Sequence, residues 1–140
     1  MADEPGGPSL PSVLAALPGV TVLLPVLLPD LDLDWAVFTG DLAPGRFGLR
    51  EPTGSRLGVS AVADAALVIA PALAVSVSGV RLGRGGGSYD RALARATGPV
   101  VVPLYDGEVV DRLPAEPHDQ RVDAAVTPSG LLVTGRNRPG

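Results

Sequence analysis

A chain of 140 residues with 46% apolar side chains can bury one core, which excludes whole-chain disorder and predicts a single domain over residues 1–134 with a frayed tail at 135–140. Its formal charge of −4 argues against a nucleic-acid or membrane-surface role, because both want a basic face. The lack of cysteine excludes disulfides, thiolate zinc sites and a cysteine nucleophile, and the lack of lysine excludes Schiff-base chemistry.

The chain opens on MADEP, which is acidic and has no apolar signal-peptide core, and no apolar run approaches the length of a membrane span. A cytoplasmic protein is expected. Residues 9–17 predict a short helix that Pro18 and Gly19 stop. Residues 21–25 form an apolar run of strand length. Residues 29–34 then alternate acidic and apolar side chains on the way into 35–38, which predicts a strand solvated on one side. Asp30, Asp32 and Asp34 lack the glycine and glutamate of a calcium loop, so they read as a solvated face. Residues 40–58, punctuated by Pro44, Gly45, Gly48, Pro52 and Gly54, read as a long connection, and a connection of that length is functional or mobile. Phe47 in its middle either stacks on a flat ligand or pins the loop to the core.

Residues 60–65 read as one or two turns of weak helix, and the apolar run 66–70 as a buried strand. The segment GVRLGRGGGSYDR, residues 79–91, is the least generic part of the chain. Gly79, Gly83, Gly85, Gly86 and Gly87 alternate there with Arg81, Arg84 and Arg91, ahead of a helix over 88–96. Glycines reach positive φ and let backbone amides approach an anion, and arginine forks fit phosphate or carboxylate oxygens. Strand, glycine turn and helix N-terminus together make a phosphate cradle, although a flexible surface loop has the same composition. Neither standard phosphate motif fits. The dinucleotide spacing meets Ser88 in place of its third glycine, and the P-loop needs a lysine.

Residues 99–105 and 122–126 supply further apolar strands, 131–134 a short extension, and 114–121 an irregular segment holding His118 and Asp119. Strands with little alternation, separated by short helices, predict an α/β fold with a mostly parallel sheet covered on both faces, and ligands collect at the carboxyl ends of such strands. The glycine turn, read as following the strand at 66–70, falls at such an end. A hydrolase triad of Ser88, His118 and Asp119 fails, because Asp90 stands where the nucleophile elbow needs its last glycine.

The 79–91 segment, preceded by PALAV at 71–75, resembles the signature of the 5-formyltetrahydrofolate cyclo-ligases, also called methenyltetrahydrofolate synthetases. PGRFGLREP at 44–52 and PHDQRVD at 117–123 extend the similarity over most of the chain. The resemblance implies a three-layer α/β domain of the cyclo-ligase and CoA-transferase-like kind. It also implies a reaction in which ATP and Mg²⁺ drive closure of 5-formyltetrahydrofolate to 5,10-methenyltetrahydrofolate with release of ADP and phosphate. The formyl oxygen accepts the γ-phosphoryl group, N10 attacks the activated carbon, and phosphate leaves. Such chemistry needs positioning and charge neutralisation more than covalent help.

By the same resemblance the nucleotide lies along Arg81, Leu82, Gly83, Arg84, Gly85, Gly86, Gly87, Ser88 and Tyr89, with Arg84 and Tyr89 closest to the chemistry. The folate meets Arg84, Gly85, Gly86, Gly87 and Ser88 together with Phe47 and Glu4. Asp90 and Asp119 are the implied Mg²⁺ carboxylates; Asp119 also suits a turn cap, and Glu4 a disordered acidic terminus. The expected partner is this small molecule, with no nucleic acid or membrane, and the expected state a monomer or weak homodimer.

The sequence departs from the family at three places. Ser88 stands where tyrosine is common, Ser76 stands where aspartate is usual, and the chain begins after the family's N-terminal helix, with its lysine and arginine, and first strand. It therefore reads as N-terminally truncated, with a non-catalytic member retaining a residual nucleotide or folate site as the alternative.

Overall fold

The computed structural model describes residues 9–84, 86–117 and 119–134. Cα packing divides the chain into two compact units, residues 2–61 and 62–140, and each is described by itself.

In the first unit, Ser9 caps helix α1 (Leu10–Ala15), its Oγ accepting from Ser12 N at 3.3 Å, with a proline tolerated in the opening turn. Strands β1 (Leu23–Leu27) and β2 (Leu33–Val37) pair antiparallel with Pro25 opposite Trp35. Val26, Leu33, Trp35 and Ala36 are buried. Residues 28–32 form the hairpin turn, while Leu33 and Asp34 are extended in β2 as expected. Leu28 N donates to Asp32 O, Leu31 adopts φ 71°, and Asp30 Oδ1 accepts from Asp32 N at 3.0 Å. Short aspartate side chains favour such local bonds over a ladder. Asp34 is more than a solvated residue, since its Oδ1 also takes Gly58 N at 2.8 Å.

The expected long connection contains a second hairpin, β3 (Leu42–Pro44) with β4 (Arg50–Pro52). Its two prolines occupy terminal register positions, Pro52 opposite Leu42 and Pro44 opposite Arg50, where the missing N–H costs least. At the tip, Arg46–Gly48 forms a 3-10 turn, with Phe47 at φ 55° and 80% exposed. Of the two readings of Phe47, pinning to the core is therefore excluded.

The weak helix near residue 60 is a 3-10 turn, Val59–Asp64. Beyond it the chain runs through β5 (Val68–Ile69), β6 (Ala74–Ser76), β7 (Arg81–Leu82), α2 (Ser88–Arg95), β8 (Val100–Pro103), β9 (Val109–Val110), β10 (Ala124–Thr127) and β11 (Gly130–Val133). One sheet has the order β11-β10-β8-β5, with β8 parallel to both neighbours and β11 antiparallel at the edge. The other has the order β7-β6-β9, with β6 antiparallel to β7 and parallel to β9. The class is α/β with mixed sheets. In the four-stranded sheet Val68, Val100, Val102, Ala124 and Ala125 are buried, while Val126, Leu131 and Val133 are exposed. Asp123 ties β8 to the approach of β10, its buried Oδ2 accepting from Val100 N at 2.7 Å while Asp123 N donates to Val100 O. Among the described residues no helix is long and apolar enough to cross a membrane.

Candidate functional site

The glycine turn does not leave directly from the strand at 66–70. A hairpin that the sequence reading missed, β6 to β7, intervenes, and the turn follows β7. At the hairpin tip Gly79 adopts φ 91° and its N–H donates to Ser76 O at 2.9 Å. Ser76, fully buried, accepts from Val80 N at 3.0 Å through its Oγ, and lies 3.0 Å from Ser78 Oγ. Serine here braces a turn.

The same tip carries the 119–122 segment. Val80 bridges Arg121, Val122 N donates to Gly79 O at 2.8 Å, and Arg121 Nη1 donates to Ser78 O at 3.1 Å. A Cβ on Gly79 would lie 2.6 Å from Val122 O, so this approach requires glycine. The segment then reaches α2, where Gln120 N donates to Asp90 Oδ1 at 3.4 Å.

Gly86 and Gly87 adopt φ 79° and 71°, consecutive left-handed residues that turn the chain into α2. Gly87 caps that helix without a side chain, and Gly87 O accepts the first helical bond from Arg91 N at 3.0 Å. The opening amides of α2 thus have no capping side chain, the arrangement in which a helix N-terminus takes an anion. A hollow of about 610 Å³ lies there, lined by Gly86, Gly87, Asp90, Arg91, Ala94 and Gln120.

Arg81 lies inward. Its side chain is only 6% exposed, Nη1 donates to Pro71 O at 2.8 Å, Nη2 stands 3.8 Å from Asp90 Oδ1, and Cζ sits 5.6 Å from the centre of the Tyr89 ring. Burial pushes the Tyr89 phenol above its ordinary value, with the Arg81 charge pulling it back. The phenol is protonated at neutral pH and can donate. Leu82 is 44% exposed, and Arg84 is exposed on the turn.

The two implied metal carboxylates sit in adjacent hollows. Asp90 lines the first; Asp119 lines a second of about 350 Å³ with Glu116, Arg121 and Val80, and Gln120 belongs to both. Asp119 Oδ2 also accepts from Glu116 N at 2.8 Å, closing a turn, so the capping role holds whatever else the group does. Among the described residues no three acidic, histidine or cysteine groups converge. Mg²⁺ does not need three, since one or two carboxylates with phosphate oxygens and water suffice. The donor set fits. Glu4, Gly85 and His118 lie outside the described residues, and Phe47 belongs to the other unit. Sequence reasoning missed Gln120, Ala94 and the Pro71 carbonyl; the PHDQRVD segment already pointed to the first, while the other two carry no signal of their own.

A family model described as the 5-formyltetrahydrofolate cyclo-ligase family matches residues 1–128. The 5-formyltetrahydrofolate cyclo-ligase of Mycolicibacterium smegmatis is 42% identical over 144 residues, covering 97% of this chain and 74% of the relative. The Escherichia coli K12 protein of the same name is 35% identical over 120 residues, covering 79% of this chain and 65% of that one. The NMR structure of the 5,10-methenyltetrahydrofolate synthetase of Aquifex aeolicus superposes with a TM-score of 0.72 at 30% identity, over 93% of this chain and 65% of the other. The chain thus spans 65% to 74% of the length of these relatives.

Proposed function

We propose that this chain, which belongs to the 5-formyltetrahydrofolate cyclo-ligase family, closes 5-formyltetrahydrofolate to 5,10-methenyltetrahydrofolate with ATP and Mg²⁺, releasing ADP and phosphate. The observation that carries this reading is the pair Gly86 and Gly87, in left-handed conformation, opening α2 over a hollow that Asp90 and Arg91 share. Side-chain-free backbone lets amides approach phosphate oxygens, and the helix N-terminus favours their charge. The fold-level part of the proposal is the family's three-layer arrangement, with residues 1–134 acting as one domain.

The residues divide the work. The turn from Gly83 to Gly87, with Leu82, Ser88 and Tyr89 beside it, holds the triphosphate, and Arg84 neutralises the charge that moves between oxygens during transfer. Tyr89, a neutral phenol whose burial disfavours its ionisation further, donates beside the turn. Asp90 and Asp119 would hold Mg²⁺, which would supply neutralisation of the phosphate charge. Residues 84–88 also face the folate; by the family resemblance Phe47 is a stacking candidate and Glu4 a hydrogen-bond acceptor. The exposure of Phe47 at a hairpin tip supports stacking over anchoring.

The test is to incubate the purified chain with 5-formyltetrahydrofolate, ATP and Mg²⁺, and to follow the methenyl chromophore and ADP. Formation of both in equal amounts is expected. ATP·Mg²⁺ binding without either product, while the M. smegmatis relative turns over, would assign the non-catalytic alternative. Ser76, a departure from the family pattern, spends its buried hydroxyl on the hairpin turn.

A further inference from the structure

We infer that Arg81 is a positioning residue: its guanidinium lies beneath the glycine turn, sets Gly83 and Asp90 in place, and does not itself touch the triphosphate. The inference rests on the nucleotide reading above and deepens it. Four contacts carry it. The side chain is 6% exposed. Nη1 is spent on Pro71 O at 2.8 Å, and Nη2 faces Asp90 Oδ1 at 3.8 Å. The plane lies near the Tyr89 ring, with Cζ 5.6 Å from its centre. On the other side a Cβ added to Gly83 would stand 2.9 Å from both Nη1 and Nη2.

That last contact gives Gly83 a steric purpose the sequence did not show. Gly83 leaves room for an arginine from the same strand, and the arginine in turn fixes where the turn can run. Arginine suits the task because its fork reaches a carbonyl and a carboxylate in different directions while its flat face packs on a ring. A lysine offers one ammonium and cannot meet these demands together. Nε remains buried without a partner, so the group is held by geometry and charge and not by complete hydrogen bonding.

Two comparisons test this. For Arg81→Lys and Arg81→Gln, a positioning role predicts turnover reduced about a hundredfold in both, since a displaced site loses that order of rate. The Kd for ATP·Mg²⁺ by calorimetry should change to the same extent in both variants, because neither side chain reproduces the fork that holds Asp90. A direct phosphate ligand predicts the opposite: Kd weakened by about tenfold or more in Arg81→Gln and largely recovered in Arg81→Lys, because lysine serves phosphate as a point charge. That result would overturn the inference.

The second comparison is a double-mutant cycle on melting temperature and ATP·Mg²⁺ affinity. Gly83→Ala should lower the melting temperature in the parent but do so far less in an Arg81→Ala background, where the atoms it strikes are gone. Additive losses would refute the contact. Because the cycle does not read product, it stands even if the parent chain makes no methenyltetrahydrofolate, and the two failures are told apart.

Discussion

Gly79→Ala is expected to be strongly destabilising, for a cause local to the hairpin tip. An L side chain at φ 91° carries a backbone cost of about 1–2 kcal/mol. The new Cβ would also stand 2.6 Å from Val122 O and 3.0 Å from Thr134 Oγ1, too close for either to remain in place. Val122 must withdraw, which breaks the bond from Val122 N to Gly79 O at 2.8 Å, a loss of about 1 kcal/mol. The sum is about 3 kcal/mol, or roughly 10 °C in melting temperature for a chain of this size. Two controls separate the terms. Gly130→Ala has φ 132° with nothing within 4 Å, so it carries strain alone; Gly107→Ala has open space and no positive φ, so it should be close to neutral. Melting by circular dichroism should rank Gly79→Ala well below Gly130→Ala, with Gly107→Ala near the parent. If Gly79→Ala melted no lower than Gly130→Ala, docking of the 119–122 segment on the hairpin tip would be wrong, and with it the route that brings Gln120 to Asp90.

Further outcomes follow from single contacts. Asp123→Ala leaves the buried Val100 N–H without its carboxylate acceptor, so urea unfolding should show a loss of about 2 kcal/mol; no change would refute the tie between β8 and β10. Asp90→Asn removes the charge facing the buried Arg81 and should lose about 1–2 kcal/mol, less than for a fully enclosed pair since the Asp90 side chain is 20% exposed. The same variant should raise the Mg²⁺ concentration needed for ATP binding, and an unaltered requirement would remove Asp90 from the proposed metal site. For Tyr89, whose folded value is raised above 10.0, the native state holds its proton longer than the unfolded chain. Stability is therefore unaffected by this group below 10.0 and declines as pH rises above it. In a Tyr105→Phe variant Tyr89 is the sole tyrosine, and its phenolate absorbance should develop above 10.0; titration at or below that value would contradict its burial.

Much of residues 62–134 could be read from the chain. The apolar runs at 66–70 and 99–105 became β5 and β8, and the helix expected over 88–96 became Ser88–Arg95, because strand-length apolar runs and a glycine-led helix start are strong local signals. Local signals failed where contacts over distance decide. Residues 74–76 and 81–82 pair only because Gly79 turns tightly enough for Ser76 and Val80 to meet, and nothing in the alternation of those short strands announces it. The 42–52 hairpin was hidden by its prolines, which are harmless only at the register positions they occupy. Leu31 and Phe47 take positive φ, an uncommon choice for such side chains that no pattern rule assigns. The burial of Arg81 depends on the space above Gly83 and on the Pro71 carbonyl ten residues earlier, which no local pattern announces.

The central claim is that the glycine turn and the start of α2 receive the triphosphate. Amide chemical shifts of the isotope-labelled chain, followed while ATP·Mg²⁺ is added, test it most directly. The largest changes should fall on Gly83, Gly86, Gly87 and the amides of Ser88 to Arg91, with Gln120 moving alongside. Shifts that spare these residues, or that centre elsewhere in the chain, would contradict the account.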